Sequence, residues 1–383
     1  MRNKNLGGDI VNLFVAGHVT EVYGPVQALI TYLKNKKKDF KFILHPLPYS
    51  NIRFSKYGRS NTAFTILKKM RNFKIELLVY IQHVIFNLVI LLDQRHKIDI
   101  YIGIDNLNAF SGIIFRWIGK VDKVVYYVID YTPKRFENPV LNYLYHMMDE
   151  FCVKHSDYVW NISERIAKIR EKQGVPKEKN IVVPVGIELD KIKIPPIESI
   201  RRNVIVFVSH LERSKGIQLA IEAMKIVVRK HPDAVLEIIG TGPYEDELKE
   251  LVRKRGLEEN VKFLGVMEHD ALLQYLPTCG IALATYLDDP DSITYYADPT
   301  KPKEYLACGL PVIITKVPWI AEEIERRRMG IAINYNKEEL VRAINKLLTD
   351  DNFYKMCRKN AIEFTKNLSW DKIFDEAFSK VIQ

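Results

Sequence analysis

Short apolar runs alternate with helical segments along the second half of the chain, and this alternation restricts the fold more than any other feature. The runs cover residues 204–208, 235–239, 261–263, 281–284, 312–314 and 331–333. Apolar runs of this length are typical of strands that are buried on both faces of a sheet. Because a helical segment follows each run, the pattern predicts a parallel sheet with helices on both sides.

The first half of the chain contains a less regular series of the same kind. Strands are predicted over residues 9–15, 40–44, 98–103, 123–130 and 158–162. Residues 53–74 are expected to be irregular, and the apolar segment 75–92 is expected to form a largely buried helix. Prolines and polar residues between Pro184 and Arg202 indicate a linker. The length of 383 residues also suits two domains.

The net charge of +10 is concentrated in the first half of the chain. Residues 1–170 hold 25 Lys and Arg against 14 Asp and Glu, whereas the remaining residues are nearly balanced. Such asymmetry indicates an anionic partner, which could be a membrane surface, a phosphate-bearing substrate or nucleic acid. Polar residues interrupt the apolar segment 75–92, which makes a membrane span improbable. Peripheral contact with an anionic bilayer is the alternative that this segment leaves open.

Several functional classes find little support in the sequence. The four cysteines lie far apart and fit neither a zinc site nor a disulfide framework, and the first nine residues lack an apolar signal region. A cytoplasmic chain with reduced thiols is therefore expected. Gly17 and Gly24 do not form a dinucleotide fingerprint, and no recognised nucleic-acid-binding module is evident. We expect no cofactor, no metal ion and no nucleic acid.

The segment 298–315 begins with a strong helix-start signal. Asp298 is a residue type that caps helices, and Pro299 suits a first helical turn. The helix is predicted to run to about Ala307 and to end at Gly309, whose missing Cβ permits a left-handed stop. A helix N-terminus is thus expected at the mouth of the second sheet.

Charged side chains near this helix start suggest a binding role. Lys301 and Lys303, together with the positive end of the helix, can hold a phosphate. Glu304, one turn further in, can accept hydrogen bonds from the vicinal hydroxyls of a sugar. The alternative is a capped helix whose Glu304 is merely solvated.

Candidate residues in the first half follow two predicted strands. Asp130 ends a strand and could accept a proton from an attacking hydroxyl, while Lys134 and Arg135 could bind a phosphate. The structural alternative for Asp130 is an Asx turn before Pro133. His18, predicted in the loop after the first strand, could reach a substrate or simply be solvated.

A set of short motifs in a fixed order carries a family resemblance. They lie at residues 156–163, 182–190, 207–217, 239–243, 261–265 and 301–311, with Ser369-Trp370 at the start of the last helix. In this order they resemble the retaining-type glycosyltransferases of family 4, which have the GT-B fold. The resemblance covers about residues 150–375. It implies two doubly wound Rossmann-like domains that face a cleft, with a C-terminal helix that crosses back to the first domain.

The resemblance assigns a function to each domain. Residues 1–185, with the returning helix 369–383, would bind the acceptor, and residues 186–368 would bind a nucleotide sugar. Lys215 matches the family lysine that holds the donor diphosphate, and Glu304 matches the glutamate that binds the nucleotide ribose. Gly240 and Gly242 match the family turn that lets the nucleotide base approach the backbone.

The chain departs from the family pattern at two positions. The first of two family glutamates falls on Tyr296, and Asp298 or Asp291 might replace it. The family arginine of the diphosphate pair falls on His210, with Arg213 nearby as a replacement. Both departures leave the donor sugar and the retaining outcome open.

We therefore expect a glycosyltransferase that moves a sugar from a nucleotide sugar to an acceptor hydroxyl. Beyond Lys215, Arg213, His210 and Glu304, the donor site would include Asp298, Thr300 and Lys301. The acceptor, a glycan or a lipid-linked sugar, would lie near Gly24, Lys134 and Arg135, with Asp130 and His18 as catalytic residues. Peripheral contact with the cytoplasmic membrane face would suit such an acceptor. The alternatives are a nucleotide-sugar 2-epimerase of the same fold and a non-catalytic glycosyltransferase-like partner protein.

Overall fold

The computed structural model describes residues 12–19, 23–47, 50–52, 54–60, 65–69, 76–289 and 292–382. The chain divides into two compact units. Unit 1 comprises Met1–Pro184 and Ile373–Gln383, and unit 2 comprises Val185–Lys372. Residues 369–372, which the sequence assigned to the returning helix of the first domain, therefore fall in unit 2.

Unit 1 contains a mixed sheet with five helices among its described residues before Pro184. The strands are β1 Leu13–Val19, β2 Phe40–Pro46, β3 Phe54–Arg59, β4 Thr65–Lys69, β5 Ile98–Ile104, β6 Val121–Val128, β7 Tyr158–Asn161 and β8 Asn180–Val182. The helices are α1 Pro25–Asn35, α2 Glu76–Leu92, α3 Asn106–Trp117, α4 Pro139–His155 and α5 Glu164–Lys172. The strand order is β4-β3-β2-β1-β5-β6-β7-β8, and only the pairs β2–β3 and β3–β4 are antiparallel within this described sheet.

Unit 2 contains a parallel sheet with helices between its strands. The strands are β9 Arg201–Val208, β10 Val235–Ile239, β11 Val261–Gly265, β12 Cys279–Ala284, β13 Val312–Thr315 and β14 Gly330–Ile333. The helices are α6 Ile217–Val227, α7 Glu245–Arg255, α8 His269–Tyr275, α9 Ile293–Tyr296, α10 Thr300–Ala307, α11 Ile320–Arg326, α12 Lys337–Thr349 and α13 Asp351–Thr365. The last helix, α14 Trp370–Val381, begins in unit 2 and continues into unit 1 from Ile373. The strand order is β11-β10-β9-β12-β13-β14. This architecture confirms the predicted α/β class.

The strand orders locate one ligand-binding edge in each unit. The direction of winding reverses between β1 and β5 in unit 1 and between β9 and β12 in unit 2. In open α/β sheets, ligands bind beyond the carboxyl ends of the strands at such a reversal. The loops that follow these four strands are therefore where functional side chains are expected.

Two predictions for unit 1 were wrong. Strand β1 continues through Val19, so Gly17 and His18 lie in the strand rather than in a loop. Residues 53–74 were expected to be irregular, but β3 and β4 form an antiparallel pair there. Basic residues within both strands, Lys56 and Arg59 in β3 and Lys68 and Lys69 in β4, hid their strand pattern. The predicted strand residues 9–11, and the basic residues Arg53, Arg71 and Lys74, lie outside the described residues.

Helix α2 buries two polar residues beside apolar Val79 and Leu91, and its exposed face is largely apolar. His83 and Asn87 are buried on its inner face. The exposed apolar residues of the helix are Leu78, Ile81, Ile85, Val89 and Leu92. The expectation of a largely buried apolar helix was therefore wrong for one face, because apolarity alone does not tell which face the core covers.

The last helix completes the core of unit 1. Tyr32 of α1 packs against Phe374 and Phe378, with ring centroids 5.3 and 5.8 Å apart, and its hydroxyl donates to Asp375 at 2.7 Å. Phe378 also contacts Trp160 of β7. The C-terminal residues of the chain are thus part of the first unit, as the crossing helix of the predicted fold requires.

Neither a membrane-spanning helix nor a disulfide bond is found among the described residues. None of the described helices is both long enough and apolar enough to cross a bilayer. All four cysteines are buried and free. Burial raises the pKa of the Cys279 and Cys357 thiols to about 12, so both remain protonated at neutral pH.

Candidate functional site

Gly216 closes the turn between β9 and α6 at the reversal point of unit 2. Its φ of +74° is left-handed, and a Cβ there would lie 1.6 Å from the carbonyl oxygen of Thr285. The Thr285 hydroxyl in turn donates to the Gly216 carbonyl at 2.9 Å. Because only glycine allows this approach, the loops after β9 and β12 are fixed against each other.

The structure shows that Gly240 and Gly242 are needed for loop packing, whereas the sequence assigned them to the turn for the nucleotide base. A Cβ on Gly240, which has φ +129°, would lie 1.9 Å from the Ser209 carbonyl oxygen, and a Cβ on Gly242 would lie 2.4 Å from that of Leu211. The two loops are also joined by a hydrogen bond from the Leu211 amide to Thr241 at 3.0 Å. These glycines therefore let the loop after β10 pack on the loop after β9.

The cationic residues predicted for the diphosphate all lie on the loop between β9 and α6. Lys215 is half-buried and lies just before α6, in a short 3₁₀ turn. Arg213 is exposed, with its guanidinium 5.9 Å from the centroid of the Tyr244 ring. His210 is exposed and lies 3.5 Å from a carboxylate oxygen of Glu212. The loop therefore presents positive charge at the carboxyl end of β9.

Asp298 does not cap α10, which corrects the sequence prediction. Its carboxylate is buried, accepts the Val185 amide at 2.6 Å and the Trp319 indole N–H at 3.1 Å, and is paired with Lys303. Burial raises the pKa of Asp298 and lowers that of Lys303, so each charge depends on the other. The two side chains, which the sequence analysis assigned to ligand binding, are thus buried and engaged with each other.

The N-terminus of α10 is open because Asp298 is engaged elsewhere. No described side chain caps this helix, and Thr300 and Lys301 of its first turn are half-buried. The Tyr305 hydroxyl accepts the Val208 amide at 2.8 Å, which holds the helix beside the carboxyl end of β9. Tyr305 therefore ties α10 to β9, the strand that leads into the cationic loop.

Glu304 is a buried and oriented carboxylate. It is 3% exposed, and its two oxygens lie 2.8 Å from Lys301 Nζ and 3.0 Å from His269 Nε2. His269 Nδ1 lies 3.6 Å from Glu188. The alternative of a merely solvated Glu304 was wrong. A carboxylate has about four acceptor positions, so Glu304 keeps capacity for further donors.

His269 is a site residue that the sequence reasoning missed. It lies 35 positions before Glu304 in the chain and belongs to no motif that was recognised. Tyr296, which stands where a family glutamate was expected, lies in the short helix α9 and its ring contacts Tyr295. Since Asp298 is engaged, it does not replace that glutamate, and Asp291 lies outside the described residues.

The predicted residues of unit 1 are more dispersed. Asp130 lies beyond β6 and forms a 2.7 Å ion pair with Arg135, so the guanidinium predicted to bind a phosphate is engaged with a carboxylate. Lys134 is exposed and pairs with Glu137 at 3.1 Å.

His18 is the penultimate residue of β1, and Gly24 directly precedes α1. Gly24 precedes α1, and its amide donates to the side-chain oxygen of Gln27 at 3.1 Å. A Cβ at Gly24 would make only an ordinary contact, so packing does not require glycine there. His18 Nδ1 lies 2.7 Å from a carboxylate oxygen of Asp105, a partner that the sequence did not reveal.

No metal site is evident in the described part of the chain. There, no group of three or more His, Cys, Asp and Glu side chains could hold a metal ion.

Comparison with known sequences finds a family match within the second unit. Residues 190–364 match the family model described as Glycosyl transferases group 1. An uncharacterized glycosyltransferase of Methanocaldococcus jannaschii is 28% identical over 45% of this chain and 43% of its own length. The amylovoran biosynthesis glycosyltransferase AmsK of Erwinia amylovora is 31% identical over 41% and 39%, respectively. The alpha-monoglucosyldiacylglycerol synthase of Streptococcus pneumoniae is 26% identical over 48% and 42%. Each match spans less than half of the relative.

Comparison with solved structures covers nearly the whole chain. HepE of Anabaena, solved in complex with UDP, superposes with a TM-score of 0.72 at 16% identity, over 97% of this chain and 99% of HepE. Sucrose-phosphate synthase of Thermosynechococcus elongatus gives 0.70 at 15% identity, over 97% and 98%. These are GT-B glycosyltransferases, and the likeness confirms the predicted GT-B fold.

The approach of Gly216 to Thr285 can be tested by substitution. We expect Gly216→Ala to lower the free energy of unfolding by about 1–3 kcal/mol more than Gly256→Ala, because only the first adds an overpacked contact. Gly256 is a matched control, since its φ is +65° and nothing lies within 4 Å of an added Cβ. Urea unfolding of both variants measures the difference, and equal losses would contradict the described contact.

Proposed function

We propose that the chain is a glycosyltransferase, because residues 190–364 of unit 2 match the model of the glycosyl transferases group 1 family. It transfers a sugar from a nucleotide-sugar donor to an acceptor hydroxyl. The observation that carries the proposal is the joint presence of a cationic loop, an open helix N-terminus and a buried carboxylate at the reversal point of unit 2.

The diphosphate of the donor binds between Lys215 and the start of α10. The first amides of a helix lack acceptors within the helix, and the helix dipole adds positive potential there. A phosphate supplies the acceptor that Asp298 does not provide, which is a common use of helix N-termini. Lys215 and Arg213 add charge-assisted hydrogen bonds from the loop after β9.

The same groups assist the departure of the nucleoside diphosphate. Negative charge grows on the diphosphate oxygen as the bond to the sugar breaks. Fixed cations and helix amides stabilise this charge without reorganising, and removal of one such donor typically costs about 10²–10³ in kcat. This chemistry is available from the side chains and the backbone of unit 2.

Glu304 binds the hydroxyls of the ribose. Lys301 and His269 hold its two oxygens in place, and the remaining lone pairs accept from two neighbouring hydroxyls. A buried acceptor that needs hydroxyl donors discriminates strongly against ligands that lack them, because the unpaired group is costly. Glu304 is therefore proposed to select a ribonucleotide.

The acceptor belongs to unit 1, at the edge where β1, β5 and β6 end. We place its hydroxyl near His18 and Asp130, and the basic character of this half suits a phosphorylated or lipid-linked sugar. The names of two relatives refer to amylovoran biosynthesis and to a diacylglycerol product. They support a glycan or glycolipid acceptor.

The outer face of α2 suggests how the protein reaches a lipid-linked acceptor. Its five exposed apolar residues recur every three or four positions from Leu78 to Leu92, which forms one stripe about 21 Å long. Its inner face carries the buried polar residues His83 and Asn87. A continuous exposed apolar stripe is typical of a surface that contacts a membrane or another protein. We propose that the stripe rests on an anionic bilayer.

Charge favours a bilayer over a second copy of the chain. Residues 1–170 carry the net positive charge of the protein, so two such units repel each other while anionic lipids attract them. Exposed Trp117 and Tyr143, on α3 and α4, add aromatic side chains of the kind found at membrane interfaces. The Lys120 ammonium donates to the Leu92 carbonyl at 2.9 Å, which joins the ends of α2 and α3.

The donor site predicts selective stabilisation by one nucleotide class. In a panel of UDP, UDP-glucose, UDP-N-acetylglucosamine and GDP-mannose, a ligand at about 100 times its dissociation constant should add roughly 2.7 kcal/mol. Thermal unfolding measures the shift. Glu304→Gln should abolish the stabilisation, whereas Glu250→Gln on the exposed face of α7 should keep it. Absence of stabilisation by every member would favour a non-catalytic, glycosyltransferase-like protein.

The α2 stripe predicts binding to anionic vesicles. Ile85→Ser/Val89→Ser should bind vesicles of phosphatidylcholine and phosphatidylglycerol about 30-fold more weakly than wild type, since each half-exposed apolar side chain contributes roughly 1 kcal/mol on transfer. Vesicle flotation measures the change. Leu264→Ser/Val266→Ser, a pair of exposed apolar residues in unit 2, is the matched control. Equal binding of the two double variants would contradict the proposal, and an altered oligomeric state instead would assign the stripe to a second copy.

A further inference from the structure

A groove lies along the outer edge of the sheet of unit 2, where β14 is the last strand. It has a volume of about 720 Å³ and is bounded by β14, by the end of α11 and by residues of α12 and α13. None of its lining residues belongs to α10 or to the loops after β9, β10 and β12. The groove is therefore distinct from the proposed donor site.

The backbone of β14 is paired on one side only. The Lys316 amide donates to the Ile333 carbonyl at 2.8 Å, so this carbonyl faces β13. Neighbouring residues of a strand direct their backbone groups to opposite sides, and Ala332 therefore directs its amide and carbonyl away from β13. Neither group has a hydrogen-bond partner among the described residues. The open stretch ends at Asn334, whose amide donates to Glu339 Oε2 at 2.8 Å.

Three exposed cations line the groove and form no ion pair within the described part of the chain. They are Arg328, just before β14, and Arg342 and Lys346 on α12. The two carboxylates of the lining are engaged, since Glu325 lies 3.6 Å from Lys316 and Glu339 accepts from the Asn334 side chain at 3.0 Å. The groove thus offers uncompensated positive charge to a ligand.

Arg328 has a backbone conformation that favours glycine. Its φ is +53°, and its amide donates to the Glu325 carbonyl at 3.1 Å where α11 ends. Helices commonly end with a glycine in this left-handed conformation, because a Cβ is unfavourable there. Strained residues of this kind cluster at functional sites. An arginine at such a position is expected where a ligand uses its guanidinium.

The two sides of the groove suit opposite faces of an added strand. Ile333 packs in the same core as α12, and Ala332 packs in the same core as α11, so the two helices cover opposite faces of the sheet at this edge. Alternate residues of an added strand would face α12 and would be about 6.6 Å apart. Arg342 and Lys346 are about 6 Å apart along the helix axis. The spacing fits two acidic side chains that are separated by one residue.

We propose that the open edge of β14 binds an extended acidic segment of another protein as an added strand. Hydrogen bonds to the Ala332 backbone align the segment, as in other complexes that extend a sheet. Two of its carboxylates bind Arg342 and Lys346 through charge-assisted hydrogen bonds. The residue between them faces the α11 side, where Arg328 lies, so a run of three acidic residues uses all three cations.

Other occupants fit the edge less well. A second copy of the chain that paired through its own β14 would place its three cations against these three, which is unfavourable. A small anion would bind the cations but would leave the backbone groups of Ala332 without partners. Charged side chains also protect sheet edges from unwanted pairing. A purely protective role is the outcome that would replace the proposal.

Fluorescence anisotropy of a labelled peptide tests the surface. Wild type should bind Thr-Val-Glu-Glu-Glu-Val-Thr about 10-fold more tightly than Glu-Thr-Val-Glu-Val-Thr-Glu, which has the same charge but places its glutamates on alternating faces. Arg342→Ser/Lys346→Ser should weaken binding of the first peptide about 10-fold, since each exposed ion pair contributes modestly. Lys225→Ser/Arg229→Ser, which removes two exposed cations four positions apart at the end of α6, is the matched control and should bind as wild type.

Hydrogen exchange separates an added strand from a merely electrostatic contact. The first peptide should slow exchange of the Ala332 amide in wild type. Ala332→Pro, which removes this amide and keeps the bonds to β13, should weaken peptide binding about 10-fold. If this variant does not fold, exchange in wild type decides. Absence of binding, an equal loss in the α6 control, or binding without slower exchange overturns the proposal. Self-association of Arg342→Ser/Lys346→Ser, with no peptide bound by wild type, would show that the cations only protect the edge.

Discussion

The buried carboxylate of Asp298 is the contact on which the arrangement of unit 2 depends. It joins the first residue of the unit, Val185, to Lys303 of α10 and to Trp319 before α11. Removal of either member of a buried ion pair typically costs about 3–5 kcal/mol, so the pair fixes the position of α10 firmly. Since the carboxylate faces inward, the first turn of α10 stays uncapped, and its amides are free for an external anion. The same placement brings Glu304 under Lys301 and His269.

In unit 1, helix α2 likewise buries polar side chains, and it exposes apolar ones. The inner face of α2 buries His83 and Asn87, and the Asn87 side chain lies 2.9 Å from Nε2 of His45, whereas the outer face carries the apolar stripe. A single helix thus connects the surface proposed to meet lipid with buried polar residues in the core of unit 1. An apolar side chain in place of Asn87 would leave Nε2 of His45 without its partner.

The sequence predicted the strands and helices better than the side-chain contacts between them. Alternating apolar runs and helical segments were sufficient for the two sheets, and the left-handed Gly309 ended α10 as expected. Asp298 was read as a cap because local rules cannot show that Lys303, buried by tertiary packing, competes for its carboxylate. Asp105 and His269 were missed for a similar reason: each meets its partner only after strands distant in sequence become neighbours. Basic residues within β3 likewise hid a strand whose pairing is antiparallel.

The most direct test of the account is a crystal structure of the chain with UDP. The account predicts the diphosphate within hydrogen-bond distance of the Thr300 and Lys301 amides and of Lys215, with the ribose hydroxyls donating to Glu304. Difference density for UDP at any other place, including the carboxyl edge of the sheet of unit 1, would contradict it.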